Sequence, residues 1–353
     1  MHKIPFFGLA KQYRNLKDEL LEATDEALKY GIVMNGEFTQ KFEKWLSEKT
    51  NYEFAVTVHS GTQALEIIAR YYLTHYTSAR TIKIPNLTYV ATLNAFLNAG
   101  WDVELVDTDK NGLAVIDTEE KIDNFVCLVG LYGANPHKTN ILTATIADGA
   151  QHWLVADEEY DAMAISFDPT KNLPASGNGG AIVTNDPQLY EFALSFRSNG
   201  KTNSFDTVEH HNFGTNSRMS EQECAQILVR TNYIDKWQWR RKEIRHFYLD
   251  EFKNLPFSCL SREFPIHADQ KFVLYTDKRN VLRQHLEEKG IETRIQYPKA
   301  LSELPLAKNL VKPDMLSTSV MLTRGLLSLP IYPELSDSEV EFIAKEVKKF
   351  FTC

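Results

Sequence analysis

The sequence predicts an α/β fold: a large domain with a mostly parallel sheet covered by helices, followed by a smaller C-terminal α/β domain. Three observations carry this expectation. Short apolar runs alternate with helical patterns over the first two thirds of the chain. Those runs are apolar throughout, as strands buried on both faces are. The length, 353 residues, suits one large domain plus a smaller one, and the composition shifts after the long charged helix that begins near Tyr233. The domains are accordingly placed at 1–235 and 236–353.

The elements follow in order. Leu16, Leu20, Ala23 and Ala27 fall on one face of a helix over Leu16–Tyr30, which Gly31 stops. A second helix follows Gly36, with Phe38, Phe42, Trp45 and Leu46 inward. Phe54–Val58 is a strand, and a helix runs from Thr62 with Leu65, Ile68 and Tyr72 facing in. Ile82–Ile84 and Val103–Asp107 are strands around a helix closed by Gly100. Asp117–Asn124 reads as a helix. Phe125–Leu131, Thr143–Ala147, Ala162–Phe167 and Ala181–Thr184 are strands. Asp186–Arg197 is a helix, 200–215 a polar loop, and Tyr233–Leu255 a long helix. Beyond it, strands Phe272–Tyr275 and Thr293–Tyr297 alternate with helices Asn280–Lys289 and Ser336–Phe351, the last opened by a Ser336/Glu339 capping box.

Composition narrows the function. Hydrophobic residues make up 43% and charged residues 24%, the balance of a globular protein with a sizeable core. A net charge of -8 argues against nucleic acid or an anionic membrane as partner, while leaving small anionic substrates open. Cys127, Cys224, Cys259 and Cys353 are scattered, with no CxxC pair and no histidine at ligand spacing. Free thiols in a reducing cytosol, and no metal site, are expected. Pro5 and Gly8 break the N-terminal apolar patch, which is not read as a signal peptide. No stretch suits a membrane span. A cytoplasmic protein is expected.

Several short stretches carry candidate chemistry. Ser60-Gly61-Thr62 lies between a strand and a helix, where free N–H groups and the Thr62 hydroxyl attract a phosphate; ordinarily such a stretch is only a turn and cap. Asp148 ends an apolar strand and could keep a pyridine nitrogen protonated; ordinarily it would cap a loop. Gln151, three residues on, could reach a ring oxygen. Tyr89 could stack on a flat ring, though an aromatic there is more often core. Lys171, in SFDPTK, follows a buried strand and is a candidate Schiff-base former; most lysines are solvated surface groups. Asn216 and Arg218 follow a polar loop and precede a helix. The order of phosphate turn, aromatic, strand-end acid and lysine matches the needs of pyridoxal phosphate: donors, a stacking partner, an acid and an amine.

The stretches NGEFTQKFE, HSGTQAL, PNLTYVATLNAFLNAG, GLYG, ADGAQ, SFDPTKNL, GGAIVTND, GTNSRMSEQECA and LLSLPIYPELSDSE occur in an order that resembles the DegT/DnrJ/StrS sugar aminotransferases. These are pyridoxal-phosphate enzymes of the aspartate aminotransferase-like fold type I. The resemblance implies that Lys171 bonds to the cofactor and moves the proton, Asp148 pairs with the pyridine nitrogen, and Gln151 lies near the ring hydroxyl. It implies that Tyr89 stacks on the ring and that Gly61, Thr62 and Ser166 hold the phosphate. Asn216 would reach the phosphate of a neighbouring subunit, making a homodimer with shared active sites, which Arg218 helps to shape. The implied reaction moves an amino group from glutamate to a keto group of a nucleotide-linked deoxy sugar, with C4 expected because 4-keto-6-deoxy sugars are a common acceptor type in such families. Elimination or dehydration on a sugar, and a cofactor-binding regulator, are the alternatives; Lys171 stands where a dehydratase branch has histidine.

The sequence departs from that pattern in two places. Only 14 residues separate Gly133 from Asp148, where the family usually has a helix, so this layer is expected to be a loop. The stretch between Gln151 and Ser166 is also short. In the second domain IQYPKALS has Gln296 before Tyr297 and Ser302 where histidines are common.

Overall fold

The computed structural model describes all residues except 1–2, 77–79, 117–124, 137–143, 157–159, 202–208, 211–212, 261, 309, 311–315 and 353. The helix expected over 117–124 and the start of the strand expected over 143–147 lie outside the described residues, as do much of the 200–215 loop and Cys353.

Two helices, α1 (Leu9–Leu28) and α2 (Glu37–Thr50), precede the first strand. The order is then β1 (Phe54–Val58), α3 (Gly61–His75), β2 (Thr81–Pro85), α4 (Val90–Ala99), β3 (Asp102–Val106) and β4 (Phe125–Val129). β5 (Thr145–Asp148), β6 (Ala162–Ser166) and β7 (Gly180–Thr184) complete a seven-stranded sheet of order β1-β7-β6-β5-β4-β2-β3. β2 to β6 pair in parallel, whereas β7 is antiparallel to both β6 and β1. The sheet is thus mostly parallel, as expected.

Continuous apolar strands bury both faces. Val56, Ile82, Ile84 and Cys127 join α3, α4 and α5 (Pro187–Phe196) in one core. Ala55, Val126, Leu128 and Met163, from alternate positions, join α1, α2 and α6 (Glu221–Thr231) in the other. A long helix, α7 (Ile234–Glu251), leads to β8 (Ser258–Cys259), β9 (Phe272–Tyr275), α8 (Arg279–Glu288), α9 (Ser317–Gly325), β10 (Leu326–Leu329) and α10 (Asp337–Thr352). β8, β9 and β10 form an antiparallel three-stranded sheet whose core takes in Tyr248, Phe272, Leu274, Leu286 and Ile343.

Two expectations differ from the structure. α1 begins at Leu9 rather than Leu16, because its first turns are held by distant polar partners instead of an apolar stripe: Lys11 Nζ lies 2.7 Å from Glu339. The segment 293–297 is not a strand. It makes one bridge, between Arg294 and Ser328, and the strand beside β9 is Leu326–Leu329. The capping box is present: the Glu339 N–H donates to Ser336 Oγ (3.2 Å) and the Ser336 N–H to Glu339 Oε2 (2.9 Å).

α2 shows how α6 is tied to the large sheet. Its N-cap, Gly36, has no side chain to offer. The Glu221 carboxylate, 2% exposed, supplies the cap instead. It accepts from the N–H groups of Gly36 (2.8 Å), Phe38 (2.8 Å) and Thr39 (3.0 Å) and from the Thr39 hydroxyl. Glu221→Ala leaves these buried donors without an acceptor and is expected to cost about 3 kcal/mol. Denaturant unfolding of both proteins checks this; a loss under about 1 kcal/mol would contradict the capping role.

Candidate active site

β1 runs in the direction of β5 and β6, since β7 is antiparallel to its neighbours on both sides. The carboxyl ends of β1, β5 and β6 therefore share one edge, the place where open α/β sheets bind ligands. Ser60-Gly61, Asp148 and Ser166 lie at these ends.

The approach of the β1–α3 turn to β6 is close. A Cβ on Gly61 would sit 2.7 Å from Ser166 Cβ and 3.3 Å from the Ile165 carbonyl oxygen. A Cβ on Gly180, the first residue of β7, would fall 2.3 Å from the Ser60 carbonyl carbon. Ser60 caps α3 by accepting from the Gln63 N–H (3.2 Å). Thr62 is half-buried in the first turn. Backbone N–H groups at a helix start, with no Cβ at Gly61, make a cradle suited to phosphate.

Asp148, 7% exposed, closes β5. Its Oδ2 accepts from Thr92 Oγ1 on α4 (2.7 Å) and its Oδ1 from the Ala150 N–H (3.2 Å). Lys171 follows β6 in a turn built on Asp168. The Lys171 N–H donates to the Asp168 carbonyl (2.8 Å), and the Thr170 N–H and hydroxyl donate to Asp168 Oδ1 (2.9 and 2.5 Å). Burial pushes the Lys171 ammonium below its ordinary pKa, while Asp148 and Asp168 pull it back. Burial thereby makes the neutral, nucleophilic amine more accessible than in a solvated lysine, while the carboxylates oppose it.

Gln151 and Tyr89 meet through Tyr297. Gln151 Oε1 accepts from the Tyr132 N–H (3.0 Å), and Gln151 also hydrogen-bonds the Tyr297 side chain. The rings of Tyr89 and Tyr297 lie 5.8 Å apart at 33°. Tyr89 is 56% exposed, leaving ring surface free to stack. Burial raises the Tyr297 hydroxyl pKa well above its usual value, with Asp148 and Tyr89 adding to the effect. Asn216 stands apart. It is exposed and accepts from Arg218 Nε (3.2 Å) and Nη2 (3.0 Å). Its neighbour Ser217 accepts from the His59 N–H (3.2 Å). Among the described contacts, none joins the Asn216 side chain to a candidate other than Arg218 within the chain.

The sequence reading missed Thr92 and His152. Thr92 stands three residues after Tyr89, on the inner side of α4, and that spacing was the available signal. His152 adjoins Gln151 and is fully buried. Among the described residues, no group of three or more His, Cys, Asp or Glu could hold a metal, and no helix is long and apolar enough to cross a membrane.

The residues present fit pyridoxal phosphate: the cradle that a Cβ would fill at Gly61, the amine of lowered pKa at Lys171, and the buried carboxylate of Asp148. When bound, the cofactor supplies an electron sink for carbon next to nitrogen. The fold and this site define a fold-type I pyridoxal-phosphate aminotransferase. The chain belongs to the DegT/DnrJ/EryC1/StrS aminotransferase family, whose model matches residues 14–134 and 155–348. Lys171 lies inside the matched segments; Asp148 and Gln151 fall between them, in the shortened region, so their placement rests on the geometry above.

Similar proteins span the whole chain. The erythromycin biosynthesis sensory transduction protein EryC1 of Saccharopolyspora erythraea is 29% identical, over 98% of this chain and 99% of its own. The dTDP-3-amino-3,6-dideoxy-alpha-D-galactopyranose transaminase of Aneurinibacillus thermoaerophilus is also 29% identical, over 98% and 99%. The structure of S. venezuelae DesV superposes with a TM-score of 0.89 at 26% identity, covering 100% of both chains. The protein is a sugar aminotransferase that uses pyridoxal phosphate.

His152 gives the site a pH signature. Burial lowers its pKa from 6.5 to about 4, with the Asp148 backbone opposing. Between these values the unfolded chain binds the proton and the folded one does not. Stability from the neutral imidazole is therefore full above pH 6.5 and falls as pH drops toward 4. Between neutral pH and pH 4 the native protein is expected to lose about 3 kcal/mol more than His152→Leu does. Parallel denaturant titrations at both pH values check this; equal losses would contradict it.

Proposed function

We propose that this enzyme moves an amino group from glutamate to the C4 keto group of a nucleotide-linked deoxy sugar. The observation that carries the reading is the Lys171 amine, its pKa lowered, under the influence of Asp148 at the end of the neighbouring strand. In this reading Lys171 holds the cofactor covalently; its Nζ, once released, takes the proton from the donor's Cα and returns one during transfer. Asp148, held by Thr92, keeps the pyridine nitrogen protonated. Gln151 faces the ring hydroxyl, Tyr89 stacks on the ring, and Gly61, Thr62 and Ser166 hold the phosphate. Glutamate loads the amino group in one half-reaction and the keto sugar takes it in the other.

Asn216 supports the dimeric part of the reading: its side chain is exposed, its Oδ1 held by Arg218, so that its amide N–H groups could serve a second copy's phosphate in a homodimer with shared sites. The division into large and small domains is proposed near residue 235, supported by the start of α7 at Ile234. Amination at C3 is a second reading, favoured by the name of the transaminase from A. thermoaerophilus, which describes a 3-amino sugar.

The test is the visible absorption of the cofactor-loaded enzyme before and after L-glutamate, followed by the nucleotide-linked keto sugar. Glutamate is expected to bleach the band and the sugar to restore it, with the amino group at C4 of the product by NMR. A band indifferent to glutamate would reject the donor, and nitrogen at C3 would reject the position. Asp148→Asn is expected to lower kcat by about 10²-fold or more, since the neutral amide cannot hold the ring proton. Steady-state kinetics on a variant with an unchanged melting temperature checks this.

A further inference from the structure

Lys271 immediately precedes β9 and is 5% exposed. Among the described residues, no acceptor takes a hydrogen bond from its Nζ and no acid pairs with it. The ammonium instead lies 4.3 Å from the Phe7 ring centroid and 5.1 Å from that of Phe6. Arg294 approaches the same Phe6 ring, at 5.8 Å. A ring face stabilises a cation by far less than a buried charge loses on leaving water. A buried ammonium backed by two rings is therefore short of an anion.

The chain brings this ammonium to the cofactor lysine. Gln270 Nε2 donates to the Thr170 carbonyl (2.9 Å), and Asn172 Nδ2 donates to the Ala268 carbonyl (2.6 Å). The segment leading into β9 is thus stitched to the residues on either side of Lys171. Of the charged groups with the largest influence on Lys271, Lys171, Arg241 and Arg294 are cationic and Asp168 is an acid. Asp168 is already engaged by Thr170. Arg241 is buried, spends Nη1 on the carbonyls of Ile331 (2.6 Å) and Asp269 (3.4 Å), and keeps Nε without a partner.

We propose that Lys271 is an anion-binding residue of the active site, whose ammonium receives a carboxylate or phosphate oxygen of a bound substrate while Phe6 and Phe7 hold it from behind. This rests on the reading of Lys171 as the cofactor lysine. Two sources offer such an anion: the carboxylate of the amino donor and the diphosphate of the nucleotide sugar. Burial, with the neighbouring cations, pushes the Lys271 pKa well down; an arriving anion restores the charged form.

The test is acetylation of the cofactor-loaded full chain with acetic anhydride, with Lys271 followed by peptide mass mapping. The probes are L-glutamate and a nucleoside diphosphate, added separately. At least one is expected to slow Lys271 labelling fivefold or more. Protection by glutamate alone assigns the donor carboxylate, and protection by the nucleoside diphosphate alone assigns the diphosphate. Lys271→Met is expected to raise KM for the protecting ligand about tenfold with the cofactor band intact, and Lys271→Arg to restore most of it. Labelling that neither probe changes overturns the proposal, as does a Lys271→Met KM within twofold of the native value for both substrates. Failure of the cofactor reading would show separately, as a missing visible band in the unmodified enzyme, because the labelling needs no turnover.

Discussion

The site depends on how closely the β1–α3 turn presses against β6 and β7. Gly61 and Gly180 leave room that any Cβ would fill, and Ser166 stands at the contact. This approach puts a helix start, with its free N–H groups, at the same sheet edge as Asp148 and Lys171. The reversed strand β7 makes it possible, since it separates β1 from β6 while leaving both pointing the same way. The cradle proposed for the phosphate thereby draws on three segments far apart in sequence.

Chemistry at this edge comes from groups that burial would otherwise silence. Lys171 loses hydration, which favours its neutral amine, while Asp148 and Asp168 limit the loss. Asp148 is buried but receives two donors, so its carboxylate is an acceptor held in place. Lys271 has no such compensation among the described residues, which is the ground for proposing an external anion as its partner. The C-terminal part of the chain reaches this edge directly: the segment before β9 is bonded to the residues flanking Lys171, and Tyr297 ties Gln151 to Tyr89.

Much of this was legible in the sequence where local rules decide. Apolar runs gave the strands, the Ser336/Glu339 spacing gave a cap that the structure contains, and Gly100 ended α4 with φ +98°. What was not legible needed distant partners. α1 starts early because Lys11 reaches Glu339, and α2 is capped by a glutamate 182 to 185 residues away. The four-residue β10 carries too little pattern to be told from a loop, and 293–297 has β-like residues without a ladder to join. Of the candidate residues, those flanking strands could be picked out by position. Lys271 also flanks a strand, β9, but was not picked out, because nothing in the sequence distinguishes a buried lysine from a solvated one.

The most direct test of the central claim is to trap the cofactor on the enzyme. Borohydride reduction of the pyridoxal-phosphate-loaded protein, followed by proteolysis and mass spectrometry, identifies the lysine that carries it. The adduct is expected on the peptide containing Lys171, with none formed in Lys171→Ala. An adduct on Lys271 or any other lysine would contradict the account of this site.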